Sequence, residues 1–145
     1  MVSVVRRFVE QTFAKLGGDP DSVFRVSMAA HELLENAAKY SVGEYVQLDV
    51  QFDTASDCLR ARITNETTPA HCARLRDRVR LLQGAAQPFD FYQTLMRRSF
   101  ESGEESGLGL ARICGEGDLD LEMEDFENTV TIVASSHSLR SNLHG

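Results

Sequence analysis

The feature that most constrains this chain is the segment PDSVFRVSMAAHELLENAAKYS, residues 20–41, which holds no glycine and no proline after its first residue. At about 100° per residue, Val23, Val26, Ala30, Leu33, Leu34, Ala37 and Ala38 gather into one broad apolar arc. Glu32, Asn36 and Lys39 fall together on the opposite side. Asp19 is placed to cap this helix and Pro20 to occupy its first turn, and the helix runs to about Tyr40 or Ser41 before a turn at Gly43. An apolar arc of that width must be buried against another layer of structure.

The remaining segments supply that layer. Residues 3–16 space Val4, Val5, Phe8, Phe13 and Leu16 as a helix does, and Gly17-Gly18 stop it. In 44–53 and 58–64 apolar and polar residues alternate, as in strands with one greasy face, and Thr54 to Asp57 suit a hairpin connection. Residues 69–83 read as a helix rich in arginine, with Leu75, Val79 and Leu82 on one side, and 88–100 as another with Pro88 near its start. A polar stretch, Glu101 to Ser106, leads into Gly107-Leu108-Gly109-Leu110-Ala111-Arg112. Two more strand-like segments, 118–124 and 128–134, close the pattern. Helices, hairpin, helices, hairpin is the order of an α+β fold. The expectation is a two-layer sandwich in which a mixed, mostly antiparallel sheet carries helices on one face. One domain over residues 1–134 and a loose polar tail over 135–145 complete it.

Composition narrows the function classes. The chain has 145 residues, 42% of them hydrophobic, which is enough apolar surface to offset the entropy of ordering. A net charge of −7 repels phosphate backbones and argues against nucleic acid as a direct partner. Cys58, Cys72 and Cys114 form no CxxC pair, so they read as reduced, buried thiols rather than as a zinc site or disulfide framework. No stretch approaches the ~20 apolar residues of a membrane span and no apolar segment follows the first arginines. A cytoplasmic protein is expected.

Two features can carry chemistry. Glu32 and Asn36 stand one helical turn apart, so a carboxylate and an amide oxygen project side by side, a donor pair that suits Mg²⁺. Spacing alone describes equally a solvated face with an ordinary Glu35–Lys39 pair. Gly107 and Gly109 open a helix, where small residues let backbone amides approach an anion, although many plain loop-to-helix junctions look the same. His31 reads as a structural or surface histidine, and the arginines at 74, 76, 78 and 80 as a solvating face.

Taken together, HELLENAAKYS followed by SGLGLAR resembles the N-box and G2-box of the Bergerat-fold (GHKL) ATPases, closest to the anti-sigma-factor serine/threonine kinases. The resemblance covers the chain from the first helix to Val133. It implies Glu32 as the general base that activates a hydroxyl, Asn36 as the Mg²⁺ ligand, and Gly107, Leu108 and Gly109 as the phosphate cradle, with Lys39 and Asn65 also on the nucleotide. It implies ATP and Mg²⁺ as cofactors and a small regulatory partner, STAS-like antagonist or sigma-factor-like, and it admits a homodimer.

One element departs from the family pattern. Where the family places Asp-x-Gly-x-Gly, this chain has Asn65-Glu66-Thr67-Thr68-Pro69. Asn65 stands in for the adenine-binding aspartate without its charge, and Thr67 fills a position that favours glycine. Two functions therefore stand side by side: an ATP-dependent serine/threonine kinase of bacterial signalling, and a degenerate pseudo-kinase that serves as an interaction module without turnover.

Overall fold

A computed structural model of the chain describes the backbone of residues 2–102 and 108–136, and the side chains of residues 4–98 and 108–136. The order is α1 (Val2–Lys15), α2 (Pro20–Tyr40), β1 (Val46–Asp53), β2 (Cys58–Glu66), α3 (Pro69–Gln83), α4 (Pro88–Ser102), α5 (Leu108–Gly115), β3 (Asp120–Phe126) and β4 (Thr129–Ser135). The expected elements are all present in the expected order.

The strands form one sheet in the order β1-β2-β4-β3, with all three pairings antiparallel. Its two hairpins are made differently. Asp53 pairs with Cys58 across four loop residues, where Asp53 Oδ1 accepts the amides of Ala55 and Ser56 at 3.0 and 3.4 Å. Phe126 pairs with Thr129, so Glu127 and Asn128 alone turn the second hairpin, both at positive φ. Two such residues make the tight turn whose twist matches the flanking strands. Asn128, read as the first residue of a strand, belongs to that turn.

One sheet face is apolar. Leu59, Ala61 and Ile63 on β2 and Val130, Ile132 and Ala134 on β4 are buried beneath α2, whose Val26, Ala29, Ala30, Leu33 and Ala37 are buried in turn. The arc of α2 is narrower than its spacing suggests, since Ala38 is exposed and Leu34 half-buried. α1 lies along α2 and brings Val9 and Phe13 into the core, while α4 packs on α5. The opposite face is polar: Gln47 donates to Asp49 at 2.9 Å, and the hydroxyls of Thr64 and Thr131, facing across the β2–β4 ladder, lie 3.0 Å apart.

Caps fix where the main helices begin. Asp19 accepts the Ser22 amide at 3.1 Å and Pro20 opens α2, as the sequence predicts. Thr68 does the same for α3, accepting the His71 amide at 3.2 Å ahead of Pro69. At the far end of α3, the Gln83 amide donates to the Leu121 carbonyl at 2.8 Å. Ser135 ends β4, and Ser136 is buried with its hydroxyl accepting the Leu59 amide at 2.9 Å. The sequence places both in the polar tail, whereas Ser135 pairs with Arg60 and the Ser136 amide donates to the Leu59 carbonyl. Residues 137–145 lie outside the described part of the chain.

All three cysteines are buried free thiols. Burial, and after it the charge of Asp120, pushes the Cys114 thiol up to about 11. Among the described residues no helix is long and apolar enough to cross a membrane.

Candidate functional site

The helix that dominates the sequence also supplies the site. Glu32, Asn36 and Tyr40 follow one another at one-turn intervals along α2. His71, Arg74, Leu75 and Arg78 form the matching stripe on α3, at intervals of three and four. Between these stripes lies a cavity of 280 Å³, closed on a third side by Leu110 of α5. Asn36, Tyr40, His71, Arg74 and Arg78 all line it.

The rings of Tyr40 and His71 stack at 3.9 Å with 17° between their planes. Burial, and then the charge of Arg74, lowers the pKa of the His71 imidazole below its ordinary value, which favours the neutral ring. His71 is 7% exposed, and its Nε2 is buried without a hydrogen-bond partner among the described residues.

Glu32 sits beside this cavity rather than in its lining. Its Oε1 accepts from Arg112 Nη1 at 2.8 Å, and its side chain is 15% exposed. Arg112 is steadied by the Tyr92 hydroxyl at 3.4 Å and by Glu116. The Tyr92 hydroxyl first, and the Glu32 carboxylate with it, raises the guanidinium above its ordinary pKa. The other oxygen explains Gly109. A Cβ there would stand 2.7 Å from Glu32 Oε2, so any larger residue obliges the carboxylate, held by Arg112, to shift. The neighbour that crowds this glycine is the chain's own Glu32 carboxylate.

The remaining predicted residues fall into three places. Leu108 is half-buried at the start of α5 and packs on the core. Lys39 is exposed and holds its Nζ 5.2 Å above the Tyr40 ring, while Glu35 pairs with His31 at 3.1 Å. No Glu35–Lys39 ion pair is formed among the described residues; Glu35 is paired one turn back with His31 instead. Asn65 is not among the cavity-lining residues: it pairs in register with Val46 and Val130, and its amide donates to the Glu66 carbonyl at 3.2 Å. Gly107 lies outside the described residues.

Thr67 is a structural joint. It is 2% exposed, its amide donates to the Asn128 carbonyl at 2.9 Å, and its hydroxyl donates to the Tyr40 carbonyl at 2.9 Å. The chain thus fills the family's first glycine position with a side chain that ties three elements together.

The arginines of α3 do not form a uniform solvated face. Arg76 pairs with Asp125 on β3, Arg74 and Arg78 reach the cavity, and Arg80 joins Arg76 around a smaller hollow. Sequence reasoning missed Tyr40, His71, Arg74, Arg78 and Arg112 as site residues. The signal was present in the one-turn step from Asn36 to Tyr40 and in the matching stripe on α3.

No protein-family model matches the sequence, and no curated protein sequence is significantly similar to it. Among solved structures, the chain is similar to one in the SiaB–SiaC complex from Pseudomonas aeruginosa, with a TM-score of 0.68 and 12% identity over 93% of this chain and 82% of that one. At that identity the likeness is one of fold alone. A histidine kinase domain from the blue-light activated histidine kinase EL346 of Erythrobacter litoralis also aligns, at a TM-score of 0.43 and 13% identity. That alignment covers 80% of this chain and 47% of the other, so this chain spans about half its length. Within this fold Asn36 of α2 and Leu110 of α5 line one cavity, and Glu32 and Gly109 each stand close by in sequence.

Proposed function

We propose that this GHKL-like chain is a regulatory protein that binds ATP with Mg²⁺ in the cavity between α2, α3 and α5, and phosphorylates or sequesters a small partner protein. The observation that carries this reading is the convergence of Asn36, Arg74, Arg78 and the Tyr40–His71 stack on one cavity, beside the Glu32–Gly109 contact. Two guanidiniums and one carboxylate, Asp77, line it, a local balance opposite to that of the chain as a whole.

The donor set fits a metal that arrives with phosphates. Among the described residues no three His, Cys, Asp or Glu side chains gather as a metal cluster. Mg²⁺ keeps several waters and takes few protein ligands when phosphates supply the rest, so the Asn36 oxygen suffices as the protein's share. ATP, when bound, supplies the phosphoryl group for a serine or threonine hydroxyl of the partner. Arg74 and Arg78 balance phosphate charge, and the first turn of α5, with Gly109 free of a side chain, lies toward the phosphates once the Glu32 carboxylate shifts. Glu32 takes the proton of the accepting hydroxyl once Arg112 has released its Oε1. A STAS-like or sigma-factor-like partner, a cytoplasmic setting and a homodimer belong to the same reading. The neighbouring SiaB–SiaC structure, itself a complex of two proteins, supports the partner.

A second reading has its own observation. Thr67 fills the glycine position of the altered box and Arg112 occupies Glu32, which favours a pseudo-kinase that holds its partner without turnover. Titration calorimetry with ATP and Mg²⁺ decides between them. The native chain is expected to bind, with Asn36→Ala weaker in the presence of Mg²⁺ and Arg74→Ala/Arg78→Ala weaker by about tenfold or more. No binding by the native chain at millimolar ATP overturns the nucleotide reading and leaves the interaction module. Equal binding by Asn36→Ala removes Asn36 as the metal ligand.

A further inference from the structure

We propose that His71, and not Asn65, reads the ligand of this cavity, its Nε2 making the hydrogen bond to the polar edge of the nucleotide's base. The inference rests on the nucleotide reading above and adds a recognition residue that the sequence motifs do not contain.

The unpartnered nitrogen is the starting point. A polar atom shut away from water without a partner costs free energy, and native proteins rarely leave one unless a ligand completes it. His71 Nε2 is such an atom, on a side chain that lines the cavity. A ligand that offers one complementary polar atom satisfies it.

The ring is also held still. Its backbone amide is bound to the Thr68 hydroxyl at 3.2 Å, and the preceding Thr67 is locked to Tyr40 and Asn128. Tyr40 stacks on its face, so the imidazole plane is set before any ligand arrives. A neutral imidazole has one N–H and one lone pair, which suits the edge of a heteroaromatic base better than a phosphate.

The two stripes give the ligand a direction. The end of α2 and the beginning of α3 meet at the Tyr40–His71 stack, and both helices lead away from it. Two turns back along α2 is Glu32, and about two turns on along α3 is Arg78, each about 11 Å along its own helix axis. A nucleotide with its base at the stack therefore sends its phosphates toward Arg78 and the Glu32–Gly109 turn. Leu75, Leu81 and Leu110 give the cavity the apolar walls a flat base requires. Asn65 has its amide on Glu66 and does not reach this lining.

Calorimetry on the full chain with ATP–Mg²⁺, adenosine and inorganic tripolyphosphate tests the assignment. His71→Phe keeps a ring on Tyr40 and removes the nitrogen. It is expected to weaken ATP and adenosine about tenfold or more while tripolyphosphate binds as before, and Asn65→Ala is expected to bind all three normally. In the native chain, ¹⁵N spectra of the histidines should show the His71 Nε2 resonance moving when adenosine is added, a reading that needs no variant to fold. If His71→Phe binds ATP like the native chain, or the Nε2 resonance stays still under saturating adenosine, the inference is overturned and the nucleotide reading stands. If the native chain binds none of the three, the nucleotide reading fails and this inference falls with it.

Discussion

Arg112 Nη1 lies 2.8 Å from Glu32 Oε1, so a guanidinium on α5 holds a carboxylate of α2 against the backbone of Gly109. The pair joins the two sequence boxes directly. Arg112→Ala leaves a largely buried carboxylate without its partner. Because the Arg112 side chain is 37% exposed and water screens it, the expected loss is only about 1 kcal/mol, read as a lower urea midpoint with unchanged slope.

Gly109→Ala places a methyl 2.7 Å from Glu32 Oε2. Alanine is the better helix former by about 1 kcal/mol. The carboxylate that must move is tethered by Arg112, which offsets that gain, and a net loss of no more than about 1 kcal/mol is expected. In a Glu32→Ala background the same substitution should become neutral or stabilising. A double-mutant cycle measures the difference, and equal effects in both backgrounds would remove the contact as the reason for the glycine.

Thr67→Val keeps the shape of the side chain and deletes the hydroxyl that donates to the Tyr40 carbonyl at 2.9 Å. A loss of about 1 kcal/mol is expected from thermal unfolding, since the part-buried carbonyl loses this donor. Thr67→Gly restores the family residue and should cost more, because the buried side chain is lost and the corner gains backbone freedom.

The His71 imidazole titrates below its ordinary value of 6.5 because of burial and, second, Arg74. The folded chain thus takes up its proton less readily than the unfolded chain does. The stability contributed by the neutral ring is complete above pH 6.5, and it falls as pH drops from there toward the lowered folded value. Urea midpoints measured across that window should decline with acid, and His71→Phe should flatten the decline. A native chain with a level profile there would contradict the burial of a neutral ring.

Periodicity made most of this fold legible. The α2 arc, the alternation in β1 and β2, and the Asp19-Pro20 start are local signals, and each is seen in place. What the sequence concealed depends on contacts across the chain. Whether Glu32 faces water or Arg112 depends on α5 packing over α2, eighty positions later. His71 and Arg74 looked like part of a solvated helix, since nothing local shows that α3 turns that face toward Tyr40. Asn65 aligns with the resembled family's aspartate, but its side-chain amide is bound to the Glu66 carbonyl and it is not among the residues that line the cavity.

The two ends of α3 are anchored separately, by Thr67 and Thr68 at its start and by the Gln83 amide on Leu121 at its finish. A helix held at both ends cannot swing as a door without breaking one of those attachments. The stripe of His71, Arg74 and Arg78 is therefore presented to Tyr40 from a fixed support, like type locked in a frame.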